Sequence, residues 1–132
     1  MLVVTRHRVP PAEAVAFRDA ATAAIEVLSG RPGWLSGRLG RAVDDPELWV
    51  MTTEWENVGS YRRALSSYEV KAGAVALLST AVDEPTAFEI IAGSGVGARA
   101  SDAGVVGIGD AAAPIVPTDL DAADGTGRNE KA

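Results

Sequence analysis

Three side chains carry most of the chemistry open to this sequence: Trp55, Tyr61 and His7. A phenol can donate or accept a hydrogen bond and an indole N–H can donate one, so both suit the oxygen of a bound aromatic ligand. His7 is the single histidine, and its unperturbed pKa makes it the natural base near neutral pH. A phenolic or enolic substrate needs such a base before oxygen can attack its carbanion. Each residue also has a plainer reading. Trp55 can fill the space between strand and helix, Tyr61 can bond a backbone carbonyl, and His7 can be a surface or hydrogen-bonded histidine near a strand end. Cysteine is absent, which excludes disulfides and thiolate catalysis. One histidine and scattered carboxylates fall short of a metal-ligand cluster, so no metal is expected.

These groups depend on the strand read at Leu48-Trp49-Val50-Met51-Thr52-Thr53-Glu54-Trp55-Glu56. Side chains alternate across a strand. Trp49, Met51, Thr53 and Trp55 therefore share one face, and Leu48, Val50 and Thr52 the other. A strand apolar on both faces needs cover on both. The chain's own helices can cover one face, and a second copy of the sheet is the expected cover for the other. Leu2–Val9 reads as an earlier strand, with Val3, Thr5, His7 and Val9 on one side.

Pro10-Pro11 opens a helix expected over 12–29, with Phe17, Ala20, Ala21, Ala24, Ile25 and Leu28 as its apolar stripe and Gly30 as a left-handed cap. A strand at 34–43 and a turn at Asp44-Asp45-Pro46-Glu47 precede the Trp-rich strand. Asn57 caps a helix over 58–66. Another helical stretch follows over 68–80, and a last strand over 86–92. The order β-α-β-β-α-α-β is a ferredoxin-like α+β arrangement with its second helix broken in two.

Residues 1–92 hold the globular domain. From Gly93 onward aromatics vanish and Gly, Ala, Asp, Pro and Thr dominate, so residues 93–132 are expected to be a disordered tail. The glycine patterns at 93–97 and 104–109 neither follow a core strand nor open a helix, and read as linker rather than phosphate loops. The net charge of −6 carries no basic stripe, which excludes the usual nucleic-acid surface. No apolar run approaches a membrane span, and no signal peptide is evident. A soluble cytoplasmic protein is expected.

Pro32-Gly33-Trp34-Leu35-Ser36, Trp55-Glu56-Asn57 and Tyr61, in this order of elements, resemble the antibiotic biosynthesis monooxygenase domain family over about residues 1–92. The resemblance implies a homodimeric α/β barrel, two sheets packed face to face. Characterised members include cofactor-independent monooxygenases that oxidise polycyclic phenols to quinones, and haem-degrading enzymes. Quinone-forming members place a Trp at the end of the third strand, matched by Trp55, and a Tyr six residues later, matched by Tyr61. Four residues before the Trp they place an Asn that polarises a substrate oxygen. Here that position is Met51, which cannot do so. Haem-degrading members need a histidine after the third strand, and 57–80 contains none. The expectation is a cofactor-independent monooxygenase acting on an aromatic or polyketide-type phenol. Its pocket would lie between sheet and helices, lined by Thr5, His7, Met51, Trp55 and Tyr61. The alternative is a non-catalytic dimeric binder of small molecules with the same fold.

Overall fold

The computed structural model describes residues 1–95, and the tail expected at 93–132 lies outside them but for its first residues. The first strand, β1 (Leu2–Arg8), leads through a 3₁₀ turn (Pro11–Glu13) into α1 (Ala14–Ser29). A hairpin follows, β2 (Trp34–Ala42) and β3 (Asp45–Trp55). Three short helices, α2 (Val58–Ser66), α3 (Tyr68–Gly73) and α4 (Val75–Leu78), return the chain to β4 (Ala87–Phe88). The four strands form one antiparallel sheet in the order β2-β3-β1-β4. This is an α+β, ferredoxin-like fold.

Strand alternation decides what is buried. Trp49, Met51, Thr53 and Trp55 of β3 and Val3, Thr5 and His7 of β1 are all buried under the helices. From α1, Ala21, Ala24 and Leu28 reach the same layer, and from the later helices Ala64, Val70 and Ala74. Small alanines let α1 lie close to the sheet. Trp55, with no exposed surface, sits at the centre of the main core cluster. The opposite sheet face is partly or fully open: Leu2, Val4, Leu48, Val50 and Thr52 are half-buried, and Arg6, Arg8 and Arg38 are exposed.

The broken second helical region follows from its caps. Asn57 Oδ1 accepts the Ser60 N–H at 2.8 Å and starts α2. Ser67 stops it and starts α3: its Oγ donates to Ala64 O at 2.7 Å and accepts from Val70 N at 3.3 Å.

Several local expectations are corrected. The 16-residue helix α1 begins at Ala14, because Pro11–Glu13 adopts a 3₁₀ turn first. Ala20 faces outward rather than joining the stripe. Gly30 is right-handed, φ −82°, because the helix end tightens through i→i−3 bonds from Gly30 N to Val27 O and Arg31 N to Leu28 O. The left-handed glycine is Gly33, φ 89°, where a Cβ would also collide with the Ser60 side chain. The hairpin turn is only Val43-Asp44, since Asp45 Oδ1 accepts the Glu47 N–H at 3.2 Å and starts β3 early. The last strand shrinks to two residues. Pro85 brings no N–H to a ladder, and the outer edge of β1 is completed by loop bonds instead, from Val4 N to Thr86 O and from Val82 N to Arg6 O.

Gly37 is required for a different reason from Gly33. A Cβ there would run into the six-membered ring of Trp34, whereas a Cβ on Gly40 would meet Val50 Cγ1 at an ordinary 3.5 Å. Gly37→Ala should cost about 1–3 kcal/mol through overpacking, and Gly40→Ala should be neutral or slightly stabilising by restricting the unfolded chain. Urea midpoints of the two variants check this; equal midpoints would contradict the packing of Trp34.

Candidate active site

Between β1 and the three helices after β3 lies a cavity of about 630 Å³. Its apolar wall is Leu65, Val75 and Leu78; its polar groups are Thr5, Tyr61, Ser79, Thr86 and Lys71. This size suits a drug-sized aromatic ligand. Tyr61, one turn into α2, leans on Trp55 with ring centroids 5.5 Å apart. Burial raises its phenol pKa above the ordinary value, so it stays a neutral O–H. Among the described residues that hydroxyl has no hydrogen-bond partner, which leaves it free for a ligand.

Thr5 joins the cavity to a buried histidine. Thr5 and His7 are two residues apart on one strand face, and His7 Nε2 lies 3.0 Å from Thr5 Oγ1. The other ring nitrogen, Nδ1, lies 3.1 Å from Thr80 Oγ1. The Thr80 hydroxyl donates to Leu77 O at 2.7 Å, so Nδ1 must be the donor toward Thr80. That assignment leaves Nε2 as an acceptor for the Thr5 hydroxyl, whose other contact, Met51 O, is distant at 3.5 Å. The imidazole is 1% exposed, and Phe17 packs against it at 5.1 Å. Burial alone lowers its pKa, because the charged form would lose its water.

The expected pocket is therefore divided. Thr5 and Tyr61 line the cavity. His7 lies one hydrogen bond behind Thr5. Met51 and Trp55 do not line it; both are buried, at 2% and 0% exposure. Met51 is the cross-strand neighbour of Thr5, so the polar group nearest that position belongs to β1. The Trp55 indole N–H is used within its own strand, donated to Thr53 Oγ1 at 2.9 Å. Trp55 thus supports Tyr61 rather than offering a free donor. Sequence reading missed the contribution of Thr80 and of the cavity residues on α3 and α4. Only one signal pointed there: Lys71 is the single lysine among the arginines of residues 1–95.

The arginines do other work. Arg6 pairs with Glu84 at 2.8 Å and, by that hydrogen bond, holds the carboxyl below its usual range. Arg8 does the same to Asp45 at 2.6 Å. Glu54 Oε1 accepts from the Ser36 hydroxyl at 3.2 Å. Arg41 lies over the Trp49 ring at 5.1 Å. Among the described residues no group of carboxylates and histidine could hold a metal ion, and no helix is long and apolar enough to cross a membrane.

A four-stranded antiparallel sheet with helices on one face, and a cavity above its inner strand, define a small α+β domain of the ferredoxin-like type. The sequence matches the antibiotic biosynthesis monooxygenase family over residues 1–76, and the chain belongs to that family. Among solved structures it is similar to a conserved protein of Methanosarcina mazei, with 26% identity, a TM-score of 0.54, and 65% of this chain and 84% of that one covered. It is similar to a variant of SnoaB, a cofactor-independent oxygenase from Streptomyces nogalater, with 25% identity, a TM-score of 0.54, and 61% and 82% coverage. A Mycobacterium tuberculosis protein at 19% identity and a TM-score of 0.52, covering 65% and 86%, shares the fold. No curated protein sequence matches the chain.

The His7 environment sets a pH dependence. Unfolded, the imidazole takes a proton near its ordinary pKa of 6.5; folded, it does so only at lower pH. Stability from this group is therefore complete above about pH 6.5 and is lost as pH falls toward the folded value, with a slope of up to ~1.4 kcal/mol per pH unit. Urea midpoints at pH 7.5 and 5.5 should fall more for wild type than for His7→Gln. Equal falls would show that His7 accepts its proton in the folded state.

Proposed function

We propose that this chain is a cofactor-independent monooxygenase that oxidises an aromatic or polyketide-type phenol with O₂. The observation that carries the reading is one cavity with a free Tyr61 hydroxyl on one wall and the Thr5–His7 pair on another. Family membership and the likeness to an oxygenase that needs no cofactor support it.

The chemistry follows from the protonation states. Thr5 Oγ1 accepts the substrate proton while its own proton passes to Nε2 of His7. The resulting imidazolium keeps its Nδ1–H on Thr80. Substrate charge spreads from oxygen onto ring carbon, and that carbanion reacts with O₂. A carbon–oxygen bond forms, and the proton returned from His7 gives a hydroperoxide. Loss of water then leaves a quinone: one ring C–H, the phenolic O–H and O₂ become two C=O groups and H₂O, with all electrons supplied by the substrate. Burial makes the imidazolium short-lived, which favours return of the proton to the peroxide. Tyr61 donates to the substrate oxygen that holds the developing charge.

The non-catalytic binder is the second reading. Two observations favour it: Met51 offers no polar group, and the Trp55 N–H is already bonded to Thr53. Turnover of a dihydroxyanthracene-type phenol under air, without flavin or metal, separates the two. Tyr61→Phe, Thr5→Val and His7→Gln should each lower turnover by ~10²-fold or more, while leaving a folded protein. A wild type no faster than buffer across a panel of phenols, yet stabilised by them on heating, would leave the binder.

We also propose a homodimer built on the open sheet face. Val4 and Val50 are its apolar centre, and exposed Phe88 extends it. A whole sheet face can supply the ~800 Å² per partner typical of stable interfaces. Sedimentation should show a dimer at micromolar concentration. Val50→Lys, beside its cross-strand neighbour Arg6, should shift it to monomer; a wild-type monomer would remove this part of the proposal.

A further inference from the structure

We infer that the substrate is an anion, an aromatic phenol bearing a carboxylate, and that Lys71 is the residue that selects it; the inference rests on the cavity reading above. Lys71 is the one cationic residue that lines the cavity, and no acidic residue lines it. The ammonium is also unneutralised by its own helix. The positions one turn away are Ser67, Tyr68, Ala74 and Val75, none of them acidic. The nearby carboxylate on the same helix, Glu69, is turned to Arg31 at 3.5 Å. Among the described residues Lys71 makes no side-chain hydrogen bond or ion pair.

The placement is specific rather than part of a basic surface. Residues 1–92 carry 9 basic and 12 acidic side chains, so the domain as a whole repels anions, and one uncompensated cation at the cavity stands out. The chemistry of the walls is complementary. Leu65, Val75 and Leu78 accept a ring system, the Tyr61 hydroxyl is a free donor, and Lys71 adds a charged donor. A ligand with a flat apolar body, a phenolic oxygen and a separate carboxylate uses all three. Lysine, a flexible point charge, can reach a carboxylate at the mouth without the fixed geometry an arginine demands. Partly solvated, the contact should favour the anion by about tenfold rather than by many orders.

The test uses the whole 132-residue chain and three matched probes: 2-naphthol, 6-hydroxy-2-naphthoate and 6-hydroxy-2-naphthamide. Dissociation constants come from tryptophan quenching in low salt. Wild type should bind the carboxylate about tenfold tighter than the amide, and added salt should erode the difference. Lys71→Met, which keeps the apolar stem of an exposed side chain, should lose the preference for the carboxylate over the amide while binding naphthol, which offers the ammonium no second polar group, within about twofold of wild type. Lys71→Arg should retain most of it. A preference that survives in Lys71→Met, or a wild type indifferent to the carboxylate, would overturn the inference while leaving the cavity reading intact. Failure of all three probes to bind would overturn the inference and the cavity reading together. The carboxylate preference without turnover of any phenol would support the inference and remove only the monooxygenase chemistry.

Discussion

The architecture hangs on one buried indole. Trp55 ends β3 where the N-terminus, the start of β2 and helix α2 converge, and it touches all of them. Its backbone N–H bonds Met1 O at 2.9 Å, and its carbonyl accepts the N-terminal ammonium at 3.0 Å. Trp34 stands edge-on to it at 5.4 Å and 90°, an arrangement that the aromatic quadrupole favours. Its N–H is satisfied by Thr53 inside the same strand, so the ring can be fully buried without an orphaned donor. Tyr61 rests on its other side. The orientation of the cavity's phenol is thus inherited from a core packing problem, solved with the help of a glycine at position 37.

A second dependency runs through strand geometry. The period of two that buries Thr53 and Trp55 on β3 also sets Thr5 and His7 on the same face of β1. Nothing else is needed to bring a hydroxyl and an imidazole within 3.0 Å. The polarity of the pair comes from further away. Thr80 lies just beyond α4 and donates its proton to Leu77 O, which forces the histidine tautomer. A backbone carbonyl at a helix end therefore decides which imidazole nitrogen carries the proton, and leaves the one beside Thr5 as the acceptor.

Much of this was legible in the sequence because it follows from alternation and capping. The strand faces, the Asn57 cap, the order of elements and the family resemblance all rest on local patterns. The cavity residues were harder. Trp55 looked like a candidate donor, since a sequence does not reveal that Thr53, two residues earlier, would absorb its N–H. Met51 was placed near the substrate by analogy, whereas its side chain is sealed under the helices. Thr80 could not be found, because its role depends on where three short helices turn back. The early start of β3 and the short β4 were missed for a related reason. They were decided by one Asx bond and by loop hydrogen bonds to β1, which no periodicity encodes.

The sheet order leaves β2 as an outer strand, a row of main-chain groups that another chain could extend. Its two ends carry register irregularities, between Trp34 and Ser36 and between Arg41 and Ala42, and these break the flat ladder that a recruited strand would need. Arg38 and Arg41 add positive charge along the same strand. Lateral growth into ribbons is thus discouraged along this border of the sheet. The strand closes the sheet at this side instead of offering a template for the next copy.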